Sequence, residues 1–332
     1  MQKILTMIIF LAFITSCWSG SDETIIVQKK RDNITHVKSS IQQFSPNEVY
    51  SSWAYISVLG NYTSIIDSHS YDHIINLYDK DVNLKGKAGE IGIGPGEIST
   101  LGGVVYDENR NMIYVLDLGG KRTFSFCLDS IIKNPSYKPI IKHRLNGSMF
   151  PTYFVYINDT LSYGTIAQYV GPNTVREKAG KWNMKTGAIE VHNCDFENQN
   201  SWRVVSSYSK EYKVLVECSR SYDQINIFDK DLNLMHRIHG PNWHEKVDYI
   251  YHFNWVLFYK NYILASYDGT KFEENNRPTI VHVFDLEGNY IKTLDIGYKI
   301  WRMSTDEENA RLYFTFDDVI QFGYLDLKGI LD

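Results

Sequence analysis

A unit of about 50 residues recurs along this chain, and no other feature of the sequence restricts its fold as strongly. Each copy opens with a run of β-branched and aromatic residues, a tight polar turn and a second such run. The turns are Gly60-Asn61-Tyr62-Thr63, Asp107-Glu108-Asn109-Arg110-Asn111, Asn158-Asp159, Ser209-Lys210-Glu211-Tyr212, Lys260-Asn261 and Asp306-Glu307-Glu308-Asn309. Such turns between strand-forming residues make antiparallel hairpins. A further apolar run follows each hairpin and commonly ends in Asp. The copies are Ile74–Asp79, Phe124–Asp129, Lys181–Met184, Ile225–Asp229, Val281–Asp285 and Phe322–Asp326. In most copies a fourth β-rich run comes next, as in Leu234–Ile238 and Tyr290–Leu294. Both registers of the repeat agree on six copies, and no long helical stretch interrupts them. The expectation is an all-β chain folded as a six-bladed β-propeller.

Ring closure follows from the ends of the repeat. After Asp326 only Leu327 to Asp332 remain, too few for a turn and a full fourth strand. A spare β-run, Thr24–Gln28, precedes the first copy. The last blade is therefore expected to be closed by an N-terminal strand, with residues 24–28 as its outer strand, covering an edge that would otherwise invite aggregation. Composition agrees. Aromatic residues make up 14% of the 332, including 24 Tyr, and strands favour them. With 43% hydrophobic and 22% charged residues the chain is not disordered. A formal charge of −5 leaves no basic excess to neutralise phosphates, so nucleic acid is not an expected partner.

The first 23 residues read as an address. Lys3 precedes an apolar run from Ile4 to Ile14, too short to span a bilayer and suited to a secretory signal. Ile14-Thr15-Ser16-Cys17 looks like a bacterial lipobox. Residues 1–16 are then a lipoprotein signal peptide, Cys17 the lipidated residue, residues 17–23 a lipid-anchored tether, and 24–332 the propeller. Acyl chains bind a membrane at about 0.8 kcal/mol per buried CH₂, so several on one residue replace a transmembrane helix. Trp18 stands where the known inner-membrane retention signal places an aspartate, which favours the outer membrane. Ser21-Asp22-Glu23 resembles the acidic surface-export tag of Bacteroidetes lipoproteins, so the protein is expected to be surface-exposed or periplasm-facing. Cys127, Cys194 and Cys218 remain, an odd count with no CxxC, and are read as free thiols.

The second copy carries the clearest motif. It reads Gly92-Ile93-Gly94-Pro95-Gly96-Glu97, then Gly103–Asp107, Met112–Asp117 and Lys121–Phe126. This resembles an NHL-type repeat and the TolB-like six-bladed propeller lipoproteins of Bacteroidetes, which carry a GxGPGE element in an early blade. The resemblance implies a propeller on a lipid tether and little about activity. A dinucleotide fingerprint needs a helix after its glycines. Here Ile98–Gly102 leads into a strand, so the glycines are read as a tight inter-blade crossing.

The turns after the second strands and the inter-blade crossings of a propeller share one face. Candidate ligand-binding residues on that face are Tyr71, Asp117, Lys121, Arg122, Tyr169, Trp202, Arg220, Tyr222, Trp243, His244 and Trp301. Tyr and Trp are the usual anchors of interfaces. Asp67, Asp117, Asp268 and Asp317, at the ends of second strands, form a possible carboxylate ring, though such groups commonly bond turn amides. His236, His239, His244 and His252 cluster in sequence, but His236 and His239 have opposite strand parity and point to opposite faces. No metal site and no cofactor are expected, and no catalytic residue stands out. The sequence favours a binding or scaffold propeller for a glycan, peptide or partner protein. Its alternative is a channel-centred, metal-assisted hydrolase or lyase acting on a small ester, lactone or saccharide.

Overall fold

The computed structural model describes residues 24–134, 136–145, 147–171, 174–194, 203–243, 250–271 and 277–331. They form six antiparallel sheets in a ring, the six-bladed propeller expected. Four strands in chain order build each of the first three sheets: Ala54–Glu90, Leu101–Arg144 and Met149–Val191. The fourth and fifth, Val204–His239 and Ile250–Asp295, each carry a fifth strand from the N-terminal segment. The sixth has three strands of its own, Ile300–Asp306, Arg311–Phe316 and Phe322–Asp326.

The N-terminal segment departs from the expected path. Strand β1 (Thr24–Val27) lies parallel to the outer strand Leu234–His239 of blade four, with Thr24 opposite His236 and Val27 opposite His239. Strand β2 (Ile34–His36) lies parallel to the outer strand Tyr290–Asp295 of blade five. Strand β3 (Gln42–Gln43) pairs antiparallel with Phe322–Asp326 and completes blade six. An N-terminal strand does close the last blade, but it is residues 42–43 and not 24–28. Leu327–Leu331 caps this blade with a turn whose Leu327 and Leu331 are buried, so the missing strand must come from the residues that lead directly into blade one. Residues 24–36 are left free to strap the two preceding blades.

Side chains alternate along each strand, so both faces of every sheet meet a neighbour and each blade interface has its own apolar cluster. Phe124, Phe126 and Ile75 lie between blades one and two, and Phe154 and Trp182 between two and three. Tyr163 and Phe228 lie between three and four, and Phe253 and Ile227 between four and five. Leu264 and Phe314 join five to six, and Ile56 and Tyr313 join six to one. Complete burial of such side chains contributes about 1.5–3 kcal/mol each.

Turns after the third strand are built alike in three blades. Asp79, Asp229 and Asp285 each accept the backbone amide four residues on, at Asn83, Asn233 and Asn289. The position before each Asn is left-handed, with φ of 61° at Val82, 69° at Leu232 and 86° at Gly288. The Asp carboxylate clamps the turn strongly enough to hold two β-branched or bulky residues at positive φ.

Two blades stand taller than the rest. The inner hairpin strands run Met149–Asn158 and Leu161–Gly171 in blade three, and Ile250–Tyr259 and Tyr262–Lys271 in blade five. Corresponding strands elsewhere have six or seven residues. About four extra residues add about 13 Å of strand. Tyr169, expected among the turns and crossings, therefore lies within a strand of blade three.

Candidate functional site

The channel narrows around one arginine. Arg302 is the third residue of the inner strand Ile300–Asp306 of blade six. Its Nη2 donates to the Tyr153 hydroxyl at 2.6 Å, on blade three, directly across the ring. Rings surround the guanidinium: Tyr55 at 3.9 Å, Tyr153 and Trp255 at 4.9 Å and Trp301 at 5.3 Å to their centroids. Tyr55 and Trp255 come from the two blades flanking blade six. Blade two contributes Gly103, Val104 and Val105 to the lining and blade four Ser206 and Ser207, and the Ser206 hydroxyl lies 2.8 Å from that of Thr165 on blade three. A side chain at position 103 would meet the Thr152 carbonyl, its Cβ lying 2.9 Å from that oxygen. The resulting cavity, lined from all six inner strands, measures about 190 Å³.

Electrostatically, this site holds a cation without a counter-charge. Among the described residues no carboxylate pairs with Arg302. Tyr55 does not supply the charge either: burial pushes its hydroxyl up to about 12, against the pull of Arg302, so it stays neutral. A guanidinium has five N–H donors, and cation–π contacts satisfy charge but not those donors.

Toward the face of crossings the aromatic set continues. Trp301 meets Trp53 edge-on at 5.9 Å, and Trp53 stacks on His69 at 5.4 Å. Trp53 is 53% exposed. Exposed apolar side chains on the same face include Val49, Tyr71, Ile93 and Val319. At the opposite, hairpin end lies a larger cavity of about 680 Å³. Its rim mixes Glu108, Lys210, Glu211, Lys260, Glu307 and Glu308, and Lys210 pairs with Glu108 at 3.0 Å.

The candidates named from sequence scatter over this framework. Trp301 joins the aromatic set. Tyr71 is fully exposed in the turn Ser68–Asp72, and Lys121 is exposed at φ 48°. Tyr169 is half-exposed near the end of its strand and packs on Phe150 at 5.4 Å. Tyr222 is buried. Arg220 donates to the Asn254 carbonyl at 3.5 Å, and Trp243 stacks on His239 at 3.9 Å. Cys17, Trp202 and His244 lie outside the described residues.

Asp117 and Arg122 are committed to the crossing itself. Asp117 Oδ1 accepts the amides of Ser99, Thr100 and Gly120 and the Ser99 hydroxyl, and Arg122 Nε meets Oδ2 at 3.0 Å. Burial pushes this carboxyl up, but the amide bonds and Arg122 outweigh it and hold it below its ordinary value. Arg122 also donates to the Glu97 carbonyl at 2.8 Å. Within the glycine element the Glu97 carboxylate accepts the Gly94 amide at 2.8 Å, so its own side chain occupies the concavity where a phosphate would sit. Asp67 likewise accepts the amides of Ser51 and His69. Asp268 accepts from Thr270, and Asp317 faces Arg277. These carboxylates serve their own turns and do not converge. Buried His252 bonds Tyr267 at 3.2 Å, and burial pulls its imidazole down to about 4. Among the described residues no three His, Cys, Asp or Glu side chains converge to hold a metal.

Tyr55, Tyr153, Trp255 and Arg302 were missed from sequence, yet a signal exists. Tyr55, Trp255 and Arg302 each lie four residues before the last residue of their inner strand, at Leu59, Tyr259 and Asp306. Tyr153 lies five before Asn158 because a bulge falls between Tyr156 and Asn158. Aligning the copies on their turns would place these four at one level.

No family model matches the chain, and no curated protein is similar enough to match. Solved structures do resemble it. A member of the DUF4221 family from Bacteroides vulgatus superposes with a TM-score of 0.54 at 12% identity, covering 86% of this chain and 94% of that one. A Bacteroides fragilis protein described as exported gives 0.56 at 12% identity, covering 89% of each. The extracellular domain described for a one-component system of Bacteroides thetaiotaomicron gives 0.51 at 12% identity, covering 82% of this chain and 33% of that one. At such identities the likeness is one of fold, and the chain is a six-bladed β-propeller with structural neighbours among Bacteroides propellers.

Proposed function

We propose that this protein is a lipid-anchored envelope propeller of the NHL-like, TolB-like kind that binds its ligand at the channel mouth on the face of crossings. The observation that carries this reading is the aromatic rim of Trp53 and Trp301 leading inward to Arg302. Exposed Trp beside a caged cation is costly to leave in water and suited to a partner. Bacteroides neighbours described as exported or extracellular support a location outside the cytoplasm. The metal-assisted hydrolase alternative gains no support from the described channel lining.

The strap also orients the molecule under this reading. Strand β1 runs parallel to Leu234–His239, which starts at a hairpin-face turn and ends at a crossing. Thr24 therefore sits toward the hairpin face. Seven residue steps separate it from Cys17, a reach of at most about 25 Å. A lipid at Cys17 then holds the hairpin face near the membrane and turns the aromatic mouth outward.

Two experiments test this. Cys17→Ala is expected to abolish labelling by radioactive palmitate and to shift the protein from the membrane to the soluble fraction; unchanged fractionation would refute the anchor. Trp53→Ala and Trp301→Ala, in the full lipidated chain, are expected to weaken capture of envelope glycans or proteins by about 10-fold or more. Trp53 is half-exposed, so its variant should melt near the wild type. Equal capture by both variants would remove the mouth as the binding surface.

A further inference from the structure

We infer that the Arg302 cage is a subsite for the carboxylate of an acidic saccharide. This deepens the mouth-binding reading above and rests on it. The chemistry follows from what the cage lacks. Aromatic rings from four blades flank the guanidinium, but among the described residues no carboxylate neutralises it, and the groups that accept from it are the neutral hydroxyls of Tyr153 and Tyr55. An anion in the cavity that Arg302 lines would meet the remaining N–H donors in a forked geometry that matches a carboxylate.

Cavity size and lining select the rest of the ligand. The volume of about 190 Å³ is well above the roughly 10–15 Å³ that a single water requires. That admits one terminal group and excludes a folded element. Ser57, Ser207 and Ser304 are among the lining residues, and Ser304 Oγ already accepts the Val58 amide, which leaves its proton to donate. Alcohol-rich walls beside flat rings suit a sugar, whose hydroxyls bond the former and whose C–H face covers the latter. An acidic peptide side chain would use the arginine but leave the serine hydroxyls and the outer Trp53 face without a matching partner. At the hairpin-face cavity Lys210 pairs with Glu108, and Glu211, Glu307 and Glu308 crowd the same rim, so an acidic ligand is better received at Arg302 than there.

Calorimetric titration of the full lipidated protein in detergent tests the inference, with glucuronate, galacturonate, N-acetylneuraminate and short oligogalacturonate as probes. Glucose, galactose and an acetylated Asp-Glu peptide are the comparisons. Acidic saccharides are expected to bind, to weaken with added salt, and to lose about 10- to 100-fold in Arg302→Gln. Arg302→Lys, which keeps the charge but not the fork, should recover part of the affinity. Thermal unfolding of each variant separates lost binding from lost folding; if Arg302→Gln unfolds, Arg302→Lys and the salt dependence decide. Binding of neutral sugars with equal affinity, preference for the peptide, absence of binding by every acidic saccharide, or unchanged affinity in Arg302→Gln would each overturn the assignment. If Trp53→Ala loses envelope capture while Arg302→Gln retains it, the mouth stands and only the acidic-saccharide assignment fails. If neither variant loses capture, both fail.

Discussion

Arg31→Ala is expected to destabilise the protein by about 3–5 kcal/mol, the usual cost of stranding one member of a buried ion pair. Arg31 lies between β1 and β2 of the strap, and its guanidinium meets Asp223 of blade four at 2.8 Å with side-chain exposures of 4% and 0%. Nε donates to Gln28 at 2.8 Å, and Gln28 donates to the Gly288 carbonyl of blade five at 3.0 Å. The rings of Phe253, Tyr267 and Phe284 lie within 5.9 Å of the charge. One strap residue therefore bolts blade four to blade five. Its loss leaves Asp223 charged and buried, with the Tyr267 hydroxyl at 3.3 Å as its remaining close side-chain partner. Denaturant unfolding at neutral pH reads the effect. The double variant Arg31→Met, Asp223→Asn should recover much of it, because removing both charges removes the stranded one. A single variant within 1 kcal/mol of wild type, a margin well below the ordinary cost, would show that the strap is a passenger.

A second large effect is expected from pH. His192 and Glu217 form a buried pair between blades three and four, 2.9 Å apart with both side chains at 0% exposure. Glu217 also accepts the Ala179 amide at 2.6 Å and the Asn226 side chain at 3.3 Å. Burial pulls the His192 imidazole down, but the Glu217 charge and hydrogen bond and a bond to Cys194 outweigh it and push it up to about 9. Burial raises Glu217, and the His192 charge and these bonds outweigh that and lower it. The raised histidine binds its proton more tightly when folded. Its contribution is complete below the unfolded value of 6.5 and is lost as pH rises through about 9. The lowered glutamate contributes above its unfolded value of 4.5 and loses that contribution as pH falls further. Stability should peak between those two unfolded values and decline by roughly 3 kcal/mol toward pH 9. Glu217→Gln should lower the peak and flatten the alkaline limb, while an unchanged slope from pH 6.5 to 9 would mean that the pair stays neutral.

The repeat was legible because its signals are local. Each hairpin announces itself through turn residues and strand-forming flanks within about a dozen positions, and six such units leave few folds but a ring of sheets. Asp229-Lys230-Asp231-Leu232-Asn233 specifies its turn through one carboxylate and amides up to four positions away. The glycine element of blade two was read as a crossing from equally local evidence, the strand that Ile98–Gly102 leads into, and Glu97 closes its loop onto the Gly94 amide three residues away.

The site was less legible, because its partners are far apart in sequence. Arg302 and Tyr153 stand 149 positions apart, and nothing near either residue announces the other. Tyr222 and Asp117 illustrate the converse: residue type and turn position mark both as candidates, but packing buries the first and amide bonds occupy the second. The closing strand shows it again. Thr24–Val27 and Gln42–Gln43 both have the chemistry to pair with an open edge, and only the position of blade one decides which of them reaches blade six.

Turn chemistry and alternating apolar residues thus sufficed to determine the number of blades, since each depends on neighbours a few bonds away. Which strand closes the ring, which carboxylates are bound up in their own loops, and where an unpaired cation meets four aromatic rings were decided only when the blades packed. Those contacts depend on distances through space that chain separation does not encode.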